Sequence, residues 1–278
     1  MCTWARHEVG GVEVDLATAH KSVENLLQIA VELSGQNYQG SDLDRGRGVA
    51  VHFANAYTIS LAAHDDEYAE LLNRPESLVM PDGRPVVWAA ARIYAASGDL
   101  PGTWQQVCGP DTMPAILRSS QGTAVSHYFL GGSEATLTAL VAQVGRRYPD
   151  ARIAGWESPP FRALTEVELE TQVTRIRDSG ASLVWVGLGT PKQDWEVSRL
   201  ADRLPVLAVA VGAAFDFMAG TKPEAPAWVR RSGLEWGFRW VSEPRRLTRR
   251  YVIGNSQFLW AAGRSARRER ARRARPRS

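Results

Sequence analysis

The stretch ASLVWVGLGTPKQDW, Ala181–Trp195, decides the fold. Its first half is an almost unbroken apolar run, too continuous for a strand with one wet face. A Gly-Leu-Gly turn follows, and Pro191 then opens a helical pattern that reaches Leu204. Strands buried on both faces belong to parallel sheets covered by helices, and a parallel pair needs a crossover between its strands. The same unit recurs outward in both directions. GVAVHF leads through Asn55 into a helical stretch, Thr58–Leu72. SLVM leads through Asp82 into Val86–Ala96, and WQQVC through Gly109-Pro110-Asp111 into a short helix. AVSHYFLGG precedes a helix over Glu134–Tyr148, and ARIAGW reaches Thr165–Asp178 through a Pro-Pro loop. PVLAVAVG runs into AAFDFMAG. The N-terminal part adds a strand, GVEVDL, a helix over His20–Ser34 and a polar loop.

The pattern predicts an α/β fold, a Rossmann-like and mostly parallel sheet with helices on both faces. After Pro226 only helical pattern remains, which makes a basic, helical C-terminal appendage. The expected division is a core over 1–225, the appendage over 226–263 and a disordered arginine-rich tail over 264–278. The 278 residues are ample for one large α/β domain with such an appendage. Cys2 and Cys108 form neither a disulfide framework nor a metal-ligand spacing. The two cysteines suit a reducing compartment; MCTWARHEVGGVEVDL has no apolar h-region and no apolar stretch reaches about 18 residues, so neither a signal peptide nor a spanning helix is expected.

The formal charge of +3 conceals a polarity. From Trp228 onward fifteen arginines face three acids, a charge of +12, which leaves −9 for residues 1–227. Such a segment suits an anionic partner.

In open parallel sheets, ligands bind beyond the carboxyl ends of the strands. Asn55, Asp82, Asp111, Gly131, Gly132, Gly187–Gln193 and Asp216 all fall there. The Gly131-Gly132 turn lets a ligand approach backbone N–H groups, and the helix that follows favours negative charge. The second glycine turn adds Lys192 and Gln193, and together these features suit a nucleotide diphosphate. A full GxGxxG fingerprint is absent, since Lys192 stands at the third glycine, and there is no Walker lysine loop. Asp42-Leu43-Asp44 spells the DxD of metal-dependent sugar transferases but sits in a polar loop with no strand before it. It reads as solvated loop acids. The five histidines show no paired metal spacing, so no metal is expected. Asp82, in MPDG, has two readings: a turn-forming or capping acid, or a general base at the end of a strand. Asn55 reads as a helix cap or a substrate contact, Asp111 as an N-cap and Asp216 as a buried structural acid.

NAYTISLA, PDGRPVVWAA, VCGPD, YFLGGS, YPDARIAG, PPF, VGLGTPKQDW, VGAAFDFMAG and APAW…GLEWGFRW…EPRRLTRRY stand here in one order. In this the chain resembles the WecG/TagA/CpsF glycosyltransferases, over roughly Gly48 to Tyr251. The resemblance implies transfer of a sugar, typically N-acetylmannosamine, from a UDP-sugar to a polyprenyl-diphosphate-linked sugar. It implies inversion at the anomeric carbon, no metal cofactor, and work on the cytoplasmic face of the membrane as a peripheral protein. Asp82 then falls on the proposed catalytic base. Asn55 and Gln193 fall on substrate-binding positions, and Arg239, Arg246 and Arg249 on the appendage arginines that face diphosphates. Phe53 replaces a threonine of many members and Glu224 an arginine, which leaves the donor open between N-acetylmannosamine and related hexoses. The anionic membrane surface is the expected partner of the appendage, and homo-oligomerisation is left open. The alternative is a nucleotide-binding module, or a nucleic-acid-binding protein using its basic tail. That tail lacks the interleaved aromatics of a stacking platform, so no specific nucleic acid is expected.

Overall fold

The computed structural model describes residues 6–35, 48–94, 104–223 and 244–274, with the backbone alone for 244–253 and 273–274. Its centre is a parallel sheet of β3 (Val49–Ala54), β4 (Ser77–Pro81), β5 (Ser126–Gly131), β6 (Arg152–Glu157), β7 (Leu183–Gly187) and β8 (Leu207–Ala210). The strand order is β4-β3-β8-β7-β5-β6. The α/β fold expected from the sequence is the one found.

Strand alternation sorts the helices into two layers. Val49, Val51 and Phe53 of β3 point to one core with α1 (Ala19–Ser34), α5 (Gly109–Ser119), α6 (Glu134–Arg147) and α9 (Ala214–Ala219). Ala50 and Ala54 point to the opposite face. There they meet α8 (Lys192–Arg203), α7 (Glu166–Asp178), α2 (Ala56–Ala62), α3 (Asp66–Leu72) and α4 (Arg84–Tyr94). The helices that follow the neighbouring strands β3 and β8 therefore leave in opposite directions. A crevice opens where they part, the usual ligand position in such sheets.

The core tolerates buried polar groups where they are bonded. His127 accepts from Trp185 Nε1 at 3.2 Å and meets Ser120 Oγ at 2.9 Å, and burial lowers its pKa to about 4. This is a neutral structural histidine.

The segments around this core differ in places from the sequence reading. The expected strand GVEVDL is one arm of an antiparallel hairpin, β1 (Arg6–Val9) and β2 (Val12–Asp15), turned by Gly10 and Gly11, both at positive φ. The hairpin covers the edge of β4, where Val79 N–H donates to the Asp15 carboxylate at 2.6 Å. The helical stretch Thr58–Leu72 is two helices, α2 and α3, because Asp65 caps a new start by accepting from Tyr68 N–H. WQQVC is not a strand; it runs extended and places a single ladder-like bond, Val107 N–H to Pro81 O at 2.9 Å.

The largest correction concerns the C-terminus. The tail expected to be disordered from Arg264 is helical to Ala274, within α10 (Pro244–Ala274). Phe258, Ala261, Ala262 and Ser265 form its buried stripe at helical spacing. Ser265 Oγ accepts from Gly10 N–H at 3.0 Å and donates to Glu8 at 2.9 Å. The arginines from Arg264 to Arg273 ride on a helix docked against α2, α4 and the hairpin. Among the described residues, no helix is long and apolar enough to cross a membrane.

Candidate active site

The carboxyl ends of the strands open into one cleft of about 2130 Å³. Asn55, Asp82, Gly132, Gly187, Lys192, Gln193 and Asp216 all line it, together with Gly254, Asn255 and Gln257 of α10. The cleft has two halves of different chemistry.

On the β3–β4 side the polar group at the centre is Asp82. Pro81 has no N–H, yet the ladder continues past it, because Asp82 N–H donates to Ala54 O at 3.0 Å. Gly83 then turns the chain at φ +85° into α4. The Asp82 carboxylate meets donors from two other segments, Gln106 Nε2 at 3.4 Å and Asn55 Nδ2 at 3.5 Å. Asn55 is the helix cap that the sequence allows, and it also reaches Asp82. Its Oδ1 caps α2, accepting from Tyr57 N–H at 3.0 Å and Thr58 N–H at 3.2 Å, and its amide nitrogen is turned to Asp82. Gln106 was absent from the sequence reading, since nothing in WQQVC distinguishes it from a strand residue. Below them, Cys108 is the N-cap residue of α5, and its thiol donates to Asp111 at 3.2 Å. Asp111 therefore sits inside the first turn and is not the cap. Burial first, then the negative charges of Asp82 and Asp111, push the Cys108 thiol well above its ordinary pKa. This thiol is a poor nucleophile.

The β5–β7 side presents backbone. Gly131 pairs with Gly187 across the sheet, and a Cβ on Gly131 would lie 2.8 Å from the Gly187 carbonyl. The two turns approach this closely only as glycines. Ser133 caps α6, accepting from Thr136 N–H at 3.1 Å, so the N-terminus of a 14-residue helix opens beside the turn. Lys192 is exposed at the start of α8, its ammonium 5.3 Å from the ring centroid of Phe161. Gln193 is buried and its amide is taken up locally: Oε1 accepts from Gly189 N–H at 3.0 Å, and Nε2 donates to Ala210 O at 3.3 Å. It shapes the turn that Lys192 extends.

Asp216 departs from its reading as a buried acid. It is partly exposed on the cleft wall, 3.0 Å from Lys222 Nζ. The two lie either side of Gly220, whose φ of +72° reverses the chain, and that turn was the signal available in the sequence. Arg239 lies outside the described residues, and Arg246 and Arg249 fall on the part of α10 described by its backbone alone. Glu224, Asp42 and Asp44 also lie outside. Among the described residues, no three His, Cys, Asp or Glu side chains gather as a metal site would need.

A parallel α/β core with its cleft beyond the strand ends hosts many activities, so the class rests on the motifs that line the cleft. The chain belongs to the WecG/TagA/CpsF glycosyl transferase family, whose profile matches residues 10–272. Two relatives carry the name N-acetylglucosaminyldiphosphoundecaprenol N-acetyl-beta-D-mannosaminyltransferase. The Bacillus spizizenii protein is 25% identical over 212 residues, 76% of this chain and 78% of its own length. That of Staphylococcus aureus strain MW2 is 24% identical over 246 residues, 88% of each chain. The protein is a glycosyltransferase, as the sequence motifs implied.

Proposed function

We propose that the protein moves N-acetylmannosamine or a related hexose from a UDP-sugar to a polyprenyl-diphosphate-linked N-acetylglucosamine, for a cell-wall or exopolysaccharide polymer. The acceptor follows the names of the relatives. The observation that carries the reading is Asp82, set by the ladder at the cleft and approached by Asn55 and Gln106, opposite the glycine turns. An acceptor hydroxyl gives its proton to Asp82 while its oxygen bonds to the anomeric carbon. The bond from that carbon to the UDP oxygen breaks on the opposite face, so a single displacement inverts the centre. Asn55 and Gln106 hold the carboxylate toward the acceptor. The charge developing on UDP is met by the Gly131-Gly132 turn, the start of α6 and Lys192, with Arg239, Arg246 and Arg249 from the C-terminal segment and no metal. A screen of UDP-sugars with a short-chain lipid-diphosphate N-acetylglucosamine acceptor tests this. UDP release that depends on the acceptor is expected; release with no donor in the panel overturns the reading.

The enzyme works peripherally on the inner face of the membrane. Leu259 and Trp260 are exposed on α10, Arg264 stacks 3.8 Å over Trp260, and Arg267, Arg270 and Arg272 face solvent beyond them. Aromatic and arginine side chains in this arrangement settle at an anionic interface. With ~1 kcal/mol for each basic residue near the surface, replacing these last three by Gln weakens binding to phosphatidylglycerol vesicles roughly 100-fold at low salt. Turnover of a soluble acceptor stays intact. Unchanged vesicle binding removes the membrane role of this helix end.

A further inference from the structure

We infer that Asp194, held by His52 and Tyr68, is the positioning unit that sets the distance between the two halves of the cleft. Asp194 is the third residue of α8, directly after Gln193, and its side chain is 1% exposed. One carboxylate oxygen lies 3.0 Å from His52 Nδ1, and the other accepts from Tyr68 OH at 2.9 Å. His52 is wholly buried, and its Nε2 has no hydrogen-bond partner. The bond to Asp194 is thus what orients that ring. A carboxylate withdrawn from water is costly unless its lone pairs are bonded. Apolar side chains of similar volume would pack this interior as well or better. The positive end of α8 and the two donors make Asp194 tolerable here, but packing alone does not call for it.

Its place in the chain shows what it connects. His52 stands three residues before Asn55 on the strand that ends at Asp82's neighbour. Tyr68 belongs to α3, on the same side of the cleft. Asp194 belongs to the helix that carries Lys192 and Gln193, on the glycine side. Gln193 ties the β7–α8 turn to β8 through Ala210 O, and Asp194 ties the same turn to β3 and α3. The start of α8 is clamped from both directions, and β3 cannot slide against the glycine turn without breaking a buried ionic hydrogen bond. Transfer needs the acceptor hydroxyl and the anomeric carbon within about 3–3.5 Å, and a displacement of ~1 Å costs on the order of 10²-fold in rate. Each half keeps its own contacts with its own ligand, so spacing acts on the chemical step and leaves binding almost unchanged.

The inference rests on the proposed transfer reaction, and its test separates the two. With a UDP-sugar that the wild-type enzyme transfers, Asp194→Ala should lower kcat roughly 10-fold or more, and Tyr68→Phe by about 3-fold, the scale of a small misplacement. UDP affinity should stay within about 3-fold, as both halves remain formed. The ratio of donor hydrolysis to transfer should rise, because water needs no fixed spacing from the acceptor side. Asp194→Asn keeps an acceptor for His52 and a donor for Tyr68, and should restore most of kcat. All rates are read well below each variant's melting temperature. A purely structural role would lower that temperature and leave kcat and the hydrolysis ratio unchanged, which would overturn the inference. An Asp194→Asn enzyme as impaired as Asp194→Ala would overturn it too. Should Asp194→Ala fail to fold, Tyr68→Phe, which removes one hydroxyl, decides. A wild-type enzyme that transfers from no UDP-sugar refutes the transfer reading instead.

Discussion

The two halves of the cleft are built from opposite materials. On the β3–β4 side, side chains from three segments converge on one carboxylate: Asn55, Gln106 and Asp82 itself. On the β5–β7 side the wall is main chain, two glycine turns pressed together so closely that a methyl group has no room. A carboxylate accepts protons, whereas backbone N–H groups and a helix start receive negative charge. Under the proposed function the division puts proton acceptance on one side and leaving-group binding on the other, and each half should answer to a different kind of substitution.

The largest effect should come from the carboxylate. Asp82→Asn keeps the shape and the ladder bond of Asp82 N–H but removes the proton acceptor. Transfer should fall about 10²-fold or more, the range for losing a general base, with UDP affinity retained. Near-normal turnover would return Asp82 to a turn former and dissolve the contrast between the halves.

The glycine half should respond in stability and nucleotide binding instead. Gly131 has φ +113°, and its Cβ would strike the Gly187 carbonyl, which is backbone and cannot move aside cheaply. Gly132 has φ +78°, but its Cβ would meet only Thr136 and Phe215 side chains at ordinary contact distances. Both Ala variants carry the left-handed penalty of roughly 1–2 kcal/mol, and Gly131→Ala adds the collision. Chemical denaturation should rank Gly131→Ala below Gly132→Ala, and UDP titration should show the larger loss for Gly131→Ala. Equal costs would mean that the close approach of the two turns is not what holds this half together.

The same contrast explains what could be read from the sequence. The glycine half was legible because its features are local: an apolar run, Gly131-Gly132, Gly187 and Gly189, then a helix start. Asp82 was legible as a residue, but no local pattern separates a turn former from a base, and only the family resemblance favours the base. Gln106 depends on where its loop returns, which no periodicity encodes, whereas the pairing of Asp216 with Lys222 had a local signal in the Gly220 turn. The bonds of Asp194 to His52 and Tyr68 join positions far apart in the chain. The hairpin at Gly10-Gly11 and the break at Asp65 did carry local signals, a two-glycine turn and a capping aspartate, which longer strand and helix patterns overshadowed. The end of α10 misled for a physical reason. An arginine-rich segment looks like a solvated tail, yet Ala261, Ala262 and Ser265 give it a buried stripe, and arginine and alanine are good helix formers.

The smallest effect should be that of a chelator. If the glycine half is what neutralises the departing diphosphate, its donors must do so from the protein: N–H groups at Gly131-Gly132, the α6 terminus and the Lys192 ammonium, joined by the C-terminal arginines. Preorganised donors of this kind stabilise developing charge strongly in a water-poor cleft, and arginine's planar fork matches phosphate oxygens. A transferase that relies on them should keep its rate when EDTA is added to enzyme, UDP-sugar and soluble acceptor. It should also gain little from added Mg²⁺ or Mn²⁺. The informative failure is specific: if chelation abolishes transfer and a divalent cation restores it, the glycine half binds the nucleotide without carrying its charge. Attention would then move to Asp42 and Asp44. Their substitution by Asn would separate a true cation requirement, which it should remove along with activity, from an effect of the cation on the acceptor alone, which it should leave in place.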